Sequence, residues 1–402
     1  MEIDEWAIGQ RIAAHRARRG LTQAELAGLV GISLSMMKKI ESGDRLVTRF
    51  SQLIHFAQAL KIRDLRELTG VPLTVAPPGR HTHPSVDAVH SALMARTRSG
   101  NQPPHLDALA QDIERAWQSW QQPSAFRYNA VGAQLPGLID RTQAAVRQAT
   151  EHDRRRTLRL ASTLYQLTRT WTKRVGEYEL SLLAADRAVA CALDADDPDM
   201  AAAAAWNLAM ILSAQGKVGH AREVIRQAID DLTPRLAQPS AARLAVFGGL
   251  HLLGATVAAQ QDDRSEVGRL LEVAARVAAK TGETNHFRMV FGPTNVALHR
   301  MSTTIDLGRV GEALAVAEQL PIDRAPAVER RLTFHLDAAR CYVLARNDVA
   351  AIHMLQRMHR ESPEEFRYSS VARETLRHIK ARAKPALETD LRPLVAAANL
   401  TD

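Results

Sequence analysis

The sequence predicts an all-α protein, and three observations carry that expectation. Hydrophobic residues make up 46% of the 402 positions while aromatic residues make up only 4%, so alanine-rich text and not β-branched or aromatic runs supplies the apolar content. From about residue 105 onward, apolar positions recur at helical spacing in segments of roughly 16 to 20 residues. Single Gly, Asp or Pro residues break those segments, as they do where helices end. No apolar run reaches the roughly 18 residues that a membrane span needs. The start, Met1-Glu2-Ile3-Asp4-Glu5-Trp6, is acidic where a secretion signal is positive. A cytoplasmic location with no membrane partner is therefore expected.

The formal charge of +8, with a sequence pI near 9.8, suits a polyanionic partner. The excess is concentrated near the N-terminus, where Arg11, Arg16, Arg18, Arg19, Lys38, Lys39, Arg45 and Arg49 face only Glu25, Glu41 and Asp44. Within that stretch, Thr22 followed three residues later by Glu25 forms a capping box, so a helix starts at Gln23. It ends at Gly31, where the chain needs a positive φ, and Ser33 caps a second helix that runs to about Ser42. Two short helices joined by a glycine turn make a helix-turn-helix. Leu26, Ala27, Val30, Met37 and Ile40 fall between the two helices, with Ile12, Leu53, Ala57 and Leu60 closing the core from flanking helices. The outer face of the second helix is left with Leu34, Ser35, Lys38 and Lys39.

The Leu-Thr-Gln-Ala-Glu-Leu-Ala run over 21–27, Gly31 and the Glu41-x-Gly43 ending occur in register. On these residues, 8–69 resembles the five-helix lambda-repressor-like DNA-binding domain of XRE-family regulators. The resemblance implies a second helix that enters the major groove of double-stranded DNA. By position, Leu34, Ser35 and Lys39 are the implied base readers, with Lys38 reading or neutralising phosphate. Lysine can donate to guanine O6 or N7, serine suits several bases, and leucine can only meet a thymine methyl or exclude water. The resemblance also implies that Gln23 and the free amides beside it meet a phosphate, and that Arg45, Thr48 and Arg49 make a second phosphate clamp. Arg16 and Glu41 match an ion pair that ties the first helix to the end of the recognition helix.

Residues 71–85 carry four of the 17 prolines and mark a domain boundary. The expected division is a DNA-binding domain over 1–70, a linker with a short helix over 71–104, and a helical repeat domain over 105–402. His81 and His83 lie in proline-rich text without further ligands, so no metal site is expected there. Cys191 and Cys341 are expected as small core residues.

In the third region, Ala205-Trp206-Asn207-Leu208-Ala209, then Gly216-Lys217, Ala221, Ile225, Ala228 and Pro234, resemble a tetratricopeptide repeat. Equivalent turns fall near Gly176, Gly216, Gln260, Gly308 and Asn347, at a period of about 40 residues instead of 34. The expected architecture is a tetratricopeptide-like α-solenoid with lengthened helices, the alternative being an irregular helical bundle. Leu135-Pro-Gly-Leu-Ile139, Lys173-Arg-Val-Gly176, Ala185-Asp-Arg-Ala188, the run from Phe291 to His299 and Glu329-Arg-Arg331 resemble the helical region of actinobacterial XRE regulators. The order of domains also resembles the peptide-sensing RRNPP-type regulators. A helical repeat array joined to a DNA-binding module is expected to hold two copies together as a homodimer, to offer its concave face to a peptide or small-molecule effector, or to do both. Tyr165, Arg169, Asn207, His251, Asn295 and His299 are the candidate groove residues. The sequence has no HExxH, GxxxxGK[ST] or GxSxG, so neither catalytic residues nor a cofactor are expected. The competing function is a protein–protein interaction scaffold with a vestigial helix-turn-helix domain.

Overall fold

The computed structural model describes residues 5–44, 47, 50–60, 62, 66–69, 83–95, 105–320, 322–325 and 327–400. Among these residues all regular structure is helical apart from one isolated antiparallel bridge between Thr284 and Phe291. The chain divides into two compact units, Met1–His81 and Thr82–Asp402.

The first unit contains α1 (Glu5–Arg18), α2 (Gln23–Val30), α3 (Leu34–Ser42), α4 (Phe50–Ala59) and α5 (Arg66–Thr69). Both halves of the capping box form: the Glu25 N–H donates to Thr22 Oγ1 at 3.2 Å and the Thr22 N–H donates to Glu25 Oε2 at 2.7 Å. Gly31 ends α2 at φ 73°, and the Ile32 N–H closes the turn on the Ala27 carbonyl at 2.9 Å. Ser33 Oγ then accepts from the Met36 N–H, which starts α3. All nine apolar residues expected in this core are buried there, joined by Ile8, Val47, Phe56 and Leu68. Gly9 was not anticipated. A Cβ at that position would lie 2.0 Å from the Ile40 carbonyl oxygen, so only glycine lets α1 lie against the end of α3.

The second unit opens with α6 (Val86–Met94), α7 (Leu106–Gln121) and α8 (Arg127–Gln148). Then come five helical hairpins: α9 (Arg154–Arg174) with α10 (Tyr178–Asp194), α11 (Pro198–Ala214) with α12 (Val218–Leu232), α13 (Ala241–Gln260) with α14 (Arg264–Thr281), α15 (Pro293–Asp306) with α16 (Val310–Gln319), and α17 (Val328–Leu344) with α18 (Asp348–Glu361). Three further helices follow, α19 (Pro363–Tyr368), α20 (Ser370–Lys380) and α21 (Glu388–Ala397). This is the tetratricopeptide-like solenoid: the first helices of successive hairpins pack on one another, and one turn device recurs. Gly176, Gly216, Asp262, Gly308 and Arg346 each take left-handed φ, between 57° and 87°. In each case its N–H bonds the carbonyl three residues back and the next N–H bonds the carbonyl five before itself, as in Gly216 to Ser213 at 3.0 Å and Lys217 to Leu212 at 2.8 Å. Two expected turn positions shift, from Gln260 to Asp262 and from Asn347 to Arg346, because a residue other than glycine carries the left-handed conformation there.

Helix α6 was expected inside a linker, but Val86, Val89 and Leu93 belong to the core shared with α7, α8 and α9. His83 is buried with them, 5.0 Å from the Trp171 ring and 5.6 Å from Tyr368. Helix α13 has the length and mean hydropathy of a membrane span although Arg243 and His251 interrupt its apolar text, and 61% of its most apolar 18-residue window is buried within this unit. Four indole N–H groups pin helices to one another: Trp117 to the Thr163 carbonyl, Trp171 to the Tyr128 carbonyl, Trp206 to the Gly249 carbonyl and Trp120 to Glu329 Oε1.

The two ends of this unit meet. Glu364 on α19 accepts the Tyr128 N–H at 2.7 Å and the Asn129 N–H at 3.3 Å, which caps the start of α8. Its neighbour Glu365 accepts Arg127 Nη2 at 2.5 Å, the Tyr128 hydroxyl at 2.7 Å and Arg174 Nη1. Burial pushes the Glu365 carboxyl upward, but the Arg174 and Arg127 guanidinium groups outweigh it and hold the group below its ordinary value.

The turn device predicts opposite signs for two exchanges. Arg346→Gly should stabilise the protein by up to about 1 kcal/mol by removing a side chain from left-handed backbone, whereas Gly216→Ala should cost about 1 kcal/mol, both read from urea midpoints. A carboxyl depressed in the folded state contributes stability above its unfolded value and loses it as pH falls. Acidification from about pH 5 to about pH 3 should therefore lower the urea midpoint of the second unit, with a flatter profile in Glu365→Gln.

Candidate nucleic-acid interface and interior cavities

In the first unit, α3 is fixed by a fork. Arg16 Nε donates to Glu41 Oε1 at 2.6 Å and Nη2 to Oε2 at 2.9 Å, while Nη1 donates to the Leu21 carbonyl at 2.8 Å. The Glu41 side chain is only 6% exposed, so the two-point guanidinium contact neutralises a carboxylate with little water around it. Gln23 joins this group through Nε2, which donates to Glu41 Oε2 at 2.7 Å. Its side-chain nitrogen is thus directed to Glu41. The N–H groups of the first turn of α2 have no partner within the helix, apart from that of Glu25, which Thr22 takes.

Met37 and Ile40 anchor α3 inward at 0% and 1% exposure, and the opposite face carries Leu34, Ser35, Lys38 and Lys39, all exposed. Neither lysine makes an ion pair among the described residues. Leu29 on α2 is also exposed and adds apolar surface to this unit. Arg45, Thr48 and Arg49 lie outside the described residues.

The six candidate groove residues all sit on first helices of hairpins, yet the fold does not gather them into one open groove. Arg169 and Asn207 come together: Arg169 Nη2 donates to the Asn207 carbonyl at 3.1 Å and Asn207 Nδ2 donates to Gln166 Oε1 at 2.9 Å. His251 lines a separate cavity of about 310 Å³ between α12, α13 and α14, with its Nδ1 2.8 Å from the Phe247 carbonyl of its own helix. His299 Nδ1 lies 3.2 Å from the Thr256 hydroxyl, and burial with the Arg330 charge pushes this imidazole down to about 3. Tyr165 and Asn295 are buried.

What fills the expected groove is the chain itself. The segment between α14 and α15 folds back on the Thr284–Phe291 pairing, and the Thr284 N–H donates to the Phe291 carbonyl at 2.8 Å. Phe291 and Met289 then occupy the space that side chains would take at Gly248 and Gly249 on α13. Two adjacent glycines within a helix were the signal for this insertion.

Arg169 and Asn207 line a cavity of about 70 Å³ together with Lys173, Arg174, Arg288 and Arg330, four cations that the sequence pattern does not single out. Glu329 is the one carboxylate among its lining residues. Lys173 and Arg330 lie within the quoted Lys173–Gly176 and Glu329–Arg331 runs, but nothing local shows that they face one another. Burial pushes Arg169 down to about 9 and Lys173 well below the usual ammonium range, and neighbouring guanidinium groups add to both shifts.

Residues 7–69 match a family model described as a helix-turn-helix domain. No curated protein matches the chain. Among solved structures, the chain is similar to Bacillus thuringiensis PlcR in complex with the peptide PapR7 and DNA, at 15% identity and a TM-score of 0.31 over 68% of this chain and 95% of that one. It is also similar to the apo form of the competence regulator ComR from Streptococcus vestibularis, at 12% identity and a TM-score of 0.31 over 100% of each chain.

Removing the shared carboxylate leaves the half-buried Arg16 guanidinium with the Leu21 carbonyl as its remaining partner. Glu41→Ala should lower the stability of the first unit by about 2–3 kcal/mol, and Gln23→Ala by about 1 kcal/mol, measured as separate losses in denaturant unfolding.

Proposed function

We propose that this protein is a non-enzymatic, sequence-specific DNA-binding transcriptional regulator, active as a homodimer and controlled through its helical repeat unit by a peptide or small-molecule effector. The observation that carries the DNA-binding part is the outward face of α3, where Leu34, Ser35, Lys38 and Lys39 are exposed on a helix held rigidly from behind by Met37, Ile40 and the Arg16–Glu41 fork. The helix-turn-helix match over residues 7–69 supports the same reading.

In the proposed mode α3 lies in the major groove. Lys39 and Lys38 donate to guanine O6 or N7 or to a flanking phosphate, Ser35 bonds a base edge, and Leu34 packs on a thymine methyl. The free N–H groups at the start of α2, with Gln23 beside them, hold one phosphate, and Arg45, Thr48 and Arg49 hold another. Glu41 acts from behind by keeping Gln23 and Arg16 in place. In a homodimer two such heads read two half-sites, and an effector bound in the repeat unit changes their spacing.

Gel retardation at increasing salt tests the reading. Affinity for duplex DNA should fall steeply, and Lys39→Ala should cost about 1–3 kcal/mol and relax preference at one base pair. Deleting 86–402 should leave a head that binds one half-site weakly. A flat salt response would point to a protein-docking scaffold, and a deletion that kept full operator affinity would remove the repeat unit as dimeriser.

A further inference from the structure

The interior of the repeat unit holds more positive charge than its own acids neutralise. Around the inner cavity, Arg174 is paired with Glu365 and Arg288 with Glu114, while Glu329 accepts the Trp120 N–H at 2.9 Å and lies 3.9 Å from Arg174. Among the described residues, Arg169, Lys173 and Arg330 reach no carboxylate within 4 Å. Arg169 is 3% exposed, and its Nε, like that of Arg330, is buried without a hydrogen-bond partner. Buried cations are ordinarily paired, and buried N–H donors satisfied. Both rules fail at Arg169 and the second also at Arg330 Nε, while the Lys173 and Arg330 side chains are half-buried at the same cavity.

The cavity has a size and a neighbour. Its volume of about 70 Å³ exceeds the ~10–15 Å³ needed for one water and suits a group of a few heavy atoms. Trp117, Phe287 and Arg288 line it and also line a wider cavity of about 690 Å³, whose walls include Ile113 and Leu160. The shared segment is tied down by the Gln121–Asn285 amide pair and by Arg330 Nη2 on the Met289 carbonyl at 2.6 Å. Phe287 and Arg288 within it take left-handed φ of 50° and 61°, a costly backbone state found at ligand clamps.

The geometry points to a binding site for an organic anion: its carboxylate or phosphate head sits among Arg169, Lys173 and Arg330 in the inner cavity, and its aromatic or apolar body extends between Trp117 and Phe287 into the wider one. This deepens the effector reading of the repeat unit by naming the chemistry of the effector. The head supplies the missing negative charge and accepts from the orphaned guanidinium nitrogens. The body takes the place of water against Trp117, Phe287 and Leu160.

The test uses the full chain and thermal unfolding at constant ionic strength, with phenyl phosphate, phenylacetate and inorganic phosphate as anionic probes and benzyl alcohol as the neutral one. Phenyl phosphate or phenylacetate should raise the Tm, more than inorganic phosphate does, and whichever raises it more identifies the head. Benzyl alcohol should leave it unchanged. Lys173→Met should raise the Tm of the unliganded protein by relieving like-charge crowding, and should weaken the aromatic anion by at least about tenfold. Lys173→Glu, which places a carboxylate beside Arg169, should be stabilised and indifferent to the probes.

The site is overturned if neither aromatic anion shifts the Tm, if benzyl alcohol shifts it equally, or if both variants keep the full response. A lowered Tm in unliganded Lys173→Met would also count against it, since the lysine would then be holding the fold together. Gel retardation with the same probes separates the two readings. A Tm response without any change in DNA binding keeps the site and removes effector control, whereas an effector response with no effect of these anions keeps control and removes this site.

Discussion

A single carboxylate organises the larger unit. Glu365 is 4% exposed, and a charge so far from water persists only when it is paired and hydrogen-bonded. Arg127, Arg174 and Tyr128 do both, and these groups come from the start of α8 and the end of α9. Glu364 beside it caps α8. Helices at the far end of the chain are thereby held against the first helices of the solenoid. Around the inner cavity the number of acids decides the charge balance. Glu365 consumes two arginines and Glu329 accepts the Trp120 N–H, so among the described residues Arg169, Lys173 and Arg330 reach no carboxylate within 4 Å.

The smaller unit uses the same arginine–carboxylate chemistry for a different end. A nine-residue helix such as α3 is marginal in isolation, so its position comes from Met37 and Ile40 beneath it and from the fork at its end. Because those contacts all lie on one side, Leu34, Ser35, Lys38 and Lys39 are left outside. Gln23 shows how compact the arrangement is: the carboxylate that anchors α3 also fixes the first residue of the preceding helix.

The helix-turn-helix was legible almost to the residue, since its signals are local. The Thr22–Glu25 box, Gly31 and Ser33 each act within three or four positions of themselves. The repeat turns were legible where glycine carries the left-handed residue and displaced where Asp262 or Arg346 does, because those side chains leave no mark of the conformation. The groove was less legible. The tetratricopeptide resemblance placed Arg169 and Asn207 on helices expected to line the concave face, but their partners, the segment packed on Gly248 and Gly249, and the cations Lys173 and Arg330 come from elements far apart in the chain.

By itself the sequence determined the all-α class, the two helices of the motif with their caps and buried faces, and the hairpin rhythm of the larger unit. These follow from interactions between a residue and neighbours up to about four positions away. The tertiary structure alone decided which charges are paired and which are not. Trp120 meets Glu329 across 209 positions and Arg127 meets Glu365 across 238, and the worth of a charge inside a protein depends on what is brought beside it and how much water is kept, neither of which any local pattern encodes.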